Sequence, residues 1–556
     1  MQYKNAIHIL FIVLGFPVLK TDKCLSQTKQ FTNSLRLLHC YRLLVMAAKQ
    51  FLLPITGLLL VLAGVLVKWA VFPPIYEATI DRRLKLENGT MGYKRWSGED
   101  LSVPAFKRFT VFNFTNPEEM KAGKKPILVE VGPFTYKRLE TKTNIQSTDG
   151  GKSLSYDLHK EFVFDKEESC SDCFANTQVT IINFALLIVM DMIKHSDNPL
   201  AGLLLGRINT AIQGEEYKDD LFTSVPVEDL LFHGFSTGVL RYLHDKYPQL
   251  GVESTTSLSE NGTVSAFTID TGKIDATKYA LIELFNGEPE LPKEYWKSCG
   301  PTPSANQSGM FGICRDIFGT DGSQQKSKMH ADQIWTFNDE LCRSFPMDFT
   351  GNLKILGLPA ARYEMSESVL DSQLKENLCY CPYIEDCTFA DSEGDSWNVT
   401  RCSKVCKTGT LNLRGCKNNK PIIVSKPHFL HGDPSLGSGI QGMLPNPSKH
   451  QSYIDLNPAT GVSLAGHFKI QINVPLEQNS KLDILQNVSN LIFPVIWFDI
   501  CADIDKKTAR KLRSVLITPV TILNAGIGCA IAVGVIVMAV GVTRTYQNWT
   551  RKNYIK

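Results

Sequence analysis

The 556 residues contain no GxSxG elbow, no HExxH helix, no Walker A loop and no dinucleotide fingerprint. The common hydrolase, metalloprotease, nucleotidase and dehydrogenase readings therefore have no residues to rest on, and no cofactor is implied. Strong charge of one sign is also missing. A net charge of +3, without a basic stripe interleaved with aromatics, gives no footprint for nucleic acid. Repeats, heptad runs and low-complexity tracts are absent, so solenoids, coiled coils and disordered tails are set aside. No second CxxC or HxxxH pair completes a zinc ligand set beside Cys379-Tyr380-Cys381.

Two long apolar runs are present. Residues 51–72 carry one charge, Lys68, near their end, where a lysine snorkels and Trp69 anchors at the interface. Pro73-Pro74 is expected to stop this helix. Residues 514–542 carry no charge and are rich in Gly, Ala and Val. Each run is long enough to cross about 30 Å of hydrocarbon. Two spans put residues 73–513 on one side of a membrane and both mature ends, including the tail 543–556, on the other.

Charge counting does not orient the chain. Arg544, Arg551 and Lys552 follow the second span, but Lys506, Lys507, Arg510, Lys511 and Arg513 precede it; Arg82, Arg83 and Lys85 follow the first. Sequons and cysteines decide instead. N-x-S/T sites occur in the loop at Asn88, Asn113, Asn261, Asn306, Asn398 and Asn487; a further one, Asn548, falls in the tail. Twelve of the fifteen cysteines also lie in the loop, seven of them from Cys342 to Cys416. Clustered cysteines in such a loop read as disulfides and place it outside the cytoplasm. An apolar stretch, Ala6–Leu19, resembles a signal-peptide core. Its cleavage would invert this topology, so translation from Met46 is preferred, with 1–45 an extension that leaves Cys24 and Cys40 without a structural role.

Within the loop, Phe106–Phe114, Ile127–Val131 and Glu161–Phe164 read as strands, with Gly132-Pro133 breaking one of them. Ile181–Ile193, Leu200–Ile212 and Val227–Tyr247 read as helices, making 176–247 a helical cluster. Val264–Ile269, Tyr279–Phe285 and the alternating His467–Val474 return to strand. Strands with segregated helices define an α+β domain, and a long strand-rich chain can close into a barrel around a ligand cavity. His428, His431 and Asp433 are close in sequence. They are candidate metal ligands or an acid–base pair, although such groups more often hold a loop by hydrogen bonds. Gly319-Thr320-Asp321-Gly322 is a turn by composition.

Several motifs follow one another in a familiar order. They are Phe112-Asn113-Phe114-Thr115-Asn116-Pro117, Glu130-Val131-Gly132-Pro133-Phe134-Thr135-Tyr136, Cys314 through Gly322, Leu341-Cys342-Arg343-Ser344, Pro427-His428-Phe429-Leu430 and Asp455-Leu456-Asn457-Pro458. In this the chain resembles the class B scavenger receptor family over about residues 50–545. The resemblance implies an ectodomain with an antiparallel β-barrel core, an apical helical bundle and an internal tunnel for lipid. Within the 314–416 region it implies the disulfides Cys314–Cys379, Cys342–Cys416 and Cys381–Cys406. Cys387 and Cys402 are extra and free to pair, as are Cys170 and Cys173; Cys299 and Cys501 have no assigned partner.

Relatives carry a lysine-rich stretch where this chain has Gly214-Glu215-Glu216-Tyr217-Lys218-Asp219-Asp220. Four carboxylates there would repel anionic lipid, leaving Lys218 as the one candidate lysine. Phe184, Leu187 and Ile188, in the apolar run Ile181–Val189, are candidate ligand contacts. The expected partners are apolar lipids or lipoproteins, the membrane, a protein at the apex, or a second copy of the chain. The expected location is the plasma membrane, with the lysosomal or endosomal membrane as alternative. The expected role is lipid uptake; odorant delivery to a sensory receptor and protein sorting or adhesion are the competing readings.

Overall fold

A computed structural model describes residues 52–99, 103–194, 201–259, 261–296, 314–326, 331–381 and 406–554. The extension 1–45, Cys24, Cys40, Asn306, Asn398, Cys299, Cys387 and Cys402 lie outside the described residues. Residues 80–513 form one compact unit; the described parts of 1–79 and 514–556 form another.

In the second unit both long helices are apolar enough to cross a membrane, Leu52–Leu84 and Lys506–Asn548. The expected stop at Pro73-Pro74 does not occur, because the helix runs on to Leu84. Prolines lack an N–H and clash with the carbonyl four residues back. Here the turn just before them, Val67–Val71, is a wider π turn, which loosens the ladder at those carbonyls. The helices pack through glycine. A Cβ on Gly57 would fall 2.5 Å from the Gly534 carbonyl oxygen, and one on Gly534 2.9 Å from that of Gly57. Small residues let helix backbones approach closely in lipid, where packing replaces the hydrophobic drive. The Tyr76 hydroxyl donates to the Leu516 carbonyl at 2.9 Å.

The unit 80–513 is built on strands β1 (Ala105–Phe114), β2 (Leu128–Thr148), β3 (Ser153–Phe164), β4 (Gln178–Ile182), β5 (Phe222–Pro226), β6 (Thr263–Asp270) and β7 (Ile282–Phe285). Then come β8 (Gln333–Asn338), β9 (Arg343–Ile355), β10 (Leu358–Met365), β11 (Thr410–Asn412), β12 (Ile423–Ser425), β13 (Tyr453–Leu456), β14 (Ser463–Leu476) and β15 (Leu491–Asp503). All but β4 and β5 join one sheet, in the order β7-β6-β3-β2-β1-β15-β14-β13-β10-β9-β8, with β12 on β14 and β11 on β12. Its two edges meet through the Gly-Thr-Asp-Gly turn. Ile282 N–H of β7 donates to Gly319 O at 3.0 Å, and Phe337 N–H of β8 to Thr320 O at 2.8 Å. The expected barrel is thereby closed. Gly319 is required at this seam: its φ is +82°, and a Cβ would fall 2.0 Å from the Trp335 carbonyl oxygen.

Gly132-Pro133 does not break β2. The strand continues to Thr148, and the irregularity is absorbed as a register shift opposite Phe109/Val111. The helical cluster is present as Phe184–Lys194, Ala201–Gln213 and Gly238–Lys246, with a π turn at Asp229–His233. Its first helix begins later than expected. Ile181 and Ile182 belong to β4, which pairs with β5, as β-branched residues favour.

The bridges Cys314–Cys379, Cys342–Cys416 and Cys381–Cys406 form, and so does Cys170–Cys173. Cys501 is a buried free thiol, and Cys529 is free in the second span.

Candidate functional site

The barrel interior holds a cavity of about 590 Å³ that opens to solvent, within the range of about 300–1,000 Å³ that holds one small ligand. Alternation along the strands builds its wall. Phe109 on β1 pairs with Phe498 on β15, which pairs with Ile470 on β14, a row across three strands. Ile472 pairs with Ile496 beside it. Phe162 and Phe285 add two more rings from β3 and β7.

The rest of the lining is polar. Lys107 shares the inward parity of Phe109 and is buried. Its ammonium lies 3.1 Å from Glu340 Oε1 and 4.3 Å from the Phe498 ring centroid, with the Phe162 and Phe109 rings slightly farther. Lys160 forms an ion pair with Asp339. Burial pulls the Lys107 ammonium below its ordinary value despite Glu340. Burial works against the Glu340 carboxylate too, but the charges of Lys107, Lys160 and Arg138 together outweigh it and hold that carboxyl low. Asp339 is held low in the same way by Lys160. Hydroxyls of Thr255, Thr256, Ser257 and Ser259, together with Lys417 and Lys420, complete the polar side. The Cys342–Cys416 bridge ties the segment bearing Asp339 and Glu340 to the one bearing Leu413 and Lys417. The cavity thus offers rings and branched aliphatics to an apolar chain, and hydroxyls and ammonium groups to a polar head.

None of the four candidate ligand contacts lines this cavity. Phe184 and Leu187 are buried inside the helical cluster, Phe184 edge-on to Phe235 at 5.3 Å. They are core residues, as expected for a short helix apolar on nearly every face. Ile188 is half-buried, and Lys218 is exposed, 3.9 Å from Glu215. The acidic stretch is less free than its sequence suggests. Asp219 accepts Val239 N–H at 2.8 Å at the start of helix Gly238–Lys246, and Asp220 pairs with Lys121 at 2.7 Å. Among the sequons, Asn88, Asn261 and Asn487 are exposed. Asn113 is half-buried on β1, its amide oxygen accepting Thr180 N–H at 2.8 Å.

His428, His431 and Asp433 do not converge. Asp433 caps the turn at Ser435 and His431 faces Glu367. His428 Nε2 lies 2.9 Å from Glu130, its ring stacked on His450 with centroids 4.4 Å apart. Burial raises the Glu130 carboxyl, but bonds from His428, Lys449 and Trp497 outweigh it and bring it down to about 2. Glu130, His428 and His450 are close enough to suggest a cation site. However, each ring's Nδ1 accepts a backbone N–H, from Leu444 and Asn446. In the neutral rings this puts the proton on Nε2, where a ligand lone pair would be needed. The trio pins the 443–450 segment to β2, which is the loop-holding role. His450 Nε2 is buried without a hydrogen-bond partner. Burial and the neighbouring His428 push this ring down to about 4. On β14, His467 donates to Asp499 at 2.7 Å and faces Asp503 at 3.3 Å. Burial opposes its charge, but the two carboxylates raise it to about 9.

The strands gave one signal for the cavity: a lysine on an otherwise apolar parity, at Lys107 and again at Lys160. The acids that answer them come from a segment with no pattern of its own.

A membrane-anchored barrel with an amphipathic cavity and two candidate spans defines a receptor-type membrane protein. The chain belongs to the CD36 family, whose model matches residues 55–545. It is 31% identical to lysosome membrane protein 2 of Mus musculus over 487 residues, covering 87% of this chain and 91% of that protein. It is 28% identical to the Homo sapiens protein of the same name over the same shares. It is 25% identical to sensory neuron membrane protein 2 of Anopheles gambiae, covering 86% and 90%.

Proposed function

We propose that this CD36-family protein is a lipid receptor that takes one amphipathic lipid into the barrel cavity and passes it toward the bilayer in which it is anchored. The observation that carries the reading is the cavity's division into a ring-lined apolar wall and a polar side bearing Lys107, Lys160, Lys417 and Lys420. An acyl chain or sterol in that wall leaves water, and its head meets hydroxyls and ammonium groups. No bond is made or broken, so no reacting group is needed. The reading places the receptor in the plasma membrane. The names of the lysosomal relatives support the endolysosomal membrane as the second location, and surface biotinylation separates the two.

Native mass spectrometry of the full-length protein, with fatty acid, cholesteryl ester and carotenoid added in turn, tests the proposal. A saturable adduct is expected, and it should be lost when Ile472→Trp fills the apolar wall. A folded protein that stays empty with every ligand would move the function to the helical cluster. There, Leu203 and Met192 are exposed and offer an apolar contact to a protein partner. Binding of volatile apolar ligands alone would favour the odorant-delivery role suggested by the sensory relatives.

A further inference from the structure

The basic residues that leave the topology undecided by charge gather where the compact unit begins and ends, at residues 80 and 513. Next to the first junction, Leu86 N–H bonds to Thr271 O and Lys85 Nζ to Lys273 O, both at 3.2 Å. The β6–β7 loop is therefore fixed there, and its Ile274 is 75% exposed. At the second junction the β9–β10 turn lies against the Arg513 guanidinium, 3.3 Å from where a Cβ on Gly357 would stand. That turn is a two-residue loop, because Ile355 pairs with Leu358. Leu356 has φ +47° and Gly357 +79°. A tight hairpin with both residues at positive φ calls for Asn-Gly, and the left-handed region is unfavourable for leucine. This leucine is nevertheless 41% exposed at the tip. A strained, exposed aliphatic residue points to a function outside the fold.

Arg82, Arg83, Lys354, Lys506, Lys507 and Arg510 are all exposed around these junctions. On helix Lys506–Leu516 the basic residues occupy the exposed face, while Thr508, Ala509 and Leu512 are buried. Because each span continues directly from residue 80 or 513, chain continuity puts these segments at the membrane surface.

We propose that this end of the barrel unit docks on the leaflet that holds its own spans. Ile274 and Leu356 insert among the lipid headgroups and upper acyl chains, and the surrounding lysines and arginines bind phospholipid phosphates. Apolar tips ringed by basic side chains are the general form of an interfacial anchor. The proposal is independent of what the cavity holds.

The test uses the full-length protein in phosphatidylcholine nanodiscs with a benzophenone amino acid at position 274, 356 or 250. Leu250, 48% exposed after helix Gly238–Lys246, is the control. Irradiation is expected to give phospholipid adducts at 274 and 356 and none at 250. Lys506→Glu with Lys507→Glu should lower the yield at 356 severalfold while the melting temperature holds. Equal yields at all three positions, or no lipid adduct at either tip, would overturn the proposal. Adducts at both tips in the parent, with the yield at 356 lowered in the charge variant, support it.

Discussion

Replacing Lys107 by methionine isolates the electrostatics of the cavity. Methionine keeps an unbranched apolar stem against the Phe109, Phe162 and Phe498 rings, so packing is largely retained. What disappears is the ammonium 3.1 Å from Glu340. Removing one partner of a fully buried ion pair costs about 3–5 kcal/mol, mostly because the other charge stays buried alone. The Glu340 side chain keeps 30% exposure, so water recovers part of this, and about 2–3 kcal/mol is expected. Glu340→Gln in the Lys107→Met background removes the orphan charge and should restore most of the loss. The double variant is then within about 1 kcal/mol of the parent, so adding Glu340→Gln to Lys107→Met recovers about 2 kcal/mol. Thermal unfolding of the full-length protein in detergent reads this as a drop of several degrees for the single variant and a near-parental melt for the double. Lipid binding gives a second readout: with Glu340 unopposed, a fatty-acid carboxylate should lose more affinity than a neutral sterol ester. If the double variant melts as low as the two single losses added together, the pair is not coupled and the account of the cavity's polar side is wrong.

The pH profile of stability should peak near pH 6.5. His467, raised to about 9, contributes fully below its unfolded value of about 6.5 and loses up to about 3 kcal/mol as pH climbs through 9. His450, lowered to about 4, stays neutral in the fold, so a similar amount of about 3 kcal/mol is lost as pH falls from 6.5 toward 4. His467→Gln should flatten the alkaline limb of a melting-temperature series and His450→Asn the acid limb; an unchanged limb in either variant refutes that assignment. Replacing Cys342 and Cys416 together by alanine opens a loop of 74 residues and should cost about 4 kcal/mol by chain entropy, read as a lower denaturation midpoint together with weaker lipid binding. Glycopeptide mapping should find glycans at Asn88 and Asn487, which are exposed, and none at Asn113, which is half-buried on β1 with its side chain engaged within the fold.

Where one chemical pattern acts locally, the sequence was legible. Apolar length marked both spans, and alternation marked β1 and β14. The limits of those elements depended on context. Pro73-Pro74 ends a helix unless a wide turn precedes it, and Gly132-Pro133 ends a strand unless the neighbouring strand accepts a shift of register. Ile181-Ile182 read as helix because apolar continuity hid a β-branched pair that β5 recruits. The cavity was the least visible part. Lys107 and Glu340 are 233 residues apart, and only the barrel's closure through Gly319-Thr320 brings such segments to one interior. Conversely, the first helix of the cluster, Phe184–Lys194, drew attention as a ligand surface although its side chains are what the helical cluster buries.

The close crossing at Gly57 and Gly534 also acts as a clamp on the unfolded chain. It holds the two ends of a loop comprising residues 80–513 together, much as a cross-link would. Loop-closure entropy for a chain of that length amounts to about 5 kcal/mol, which an unfolded ectodomain has already lost while its anchors stay paired. An excised ectodomain regains that freedom, so its melting point is a floor for the protein in its membrane. Cleavage at one junction would weaken the barrel without touching any contact inside it.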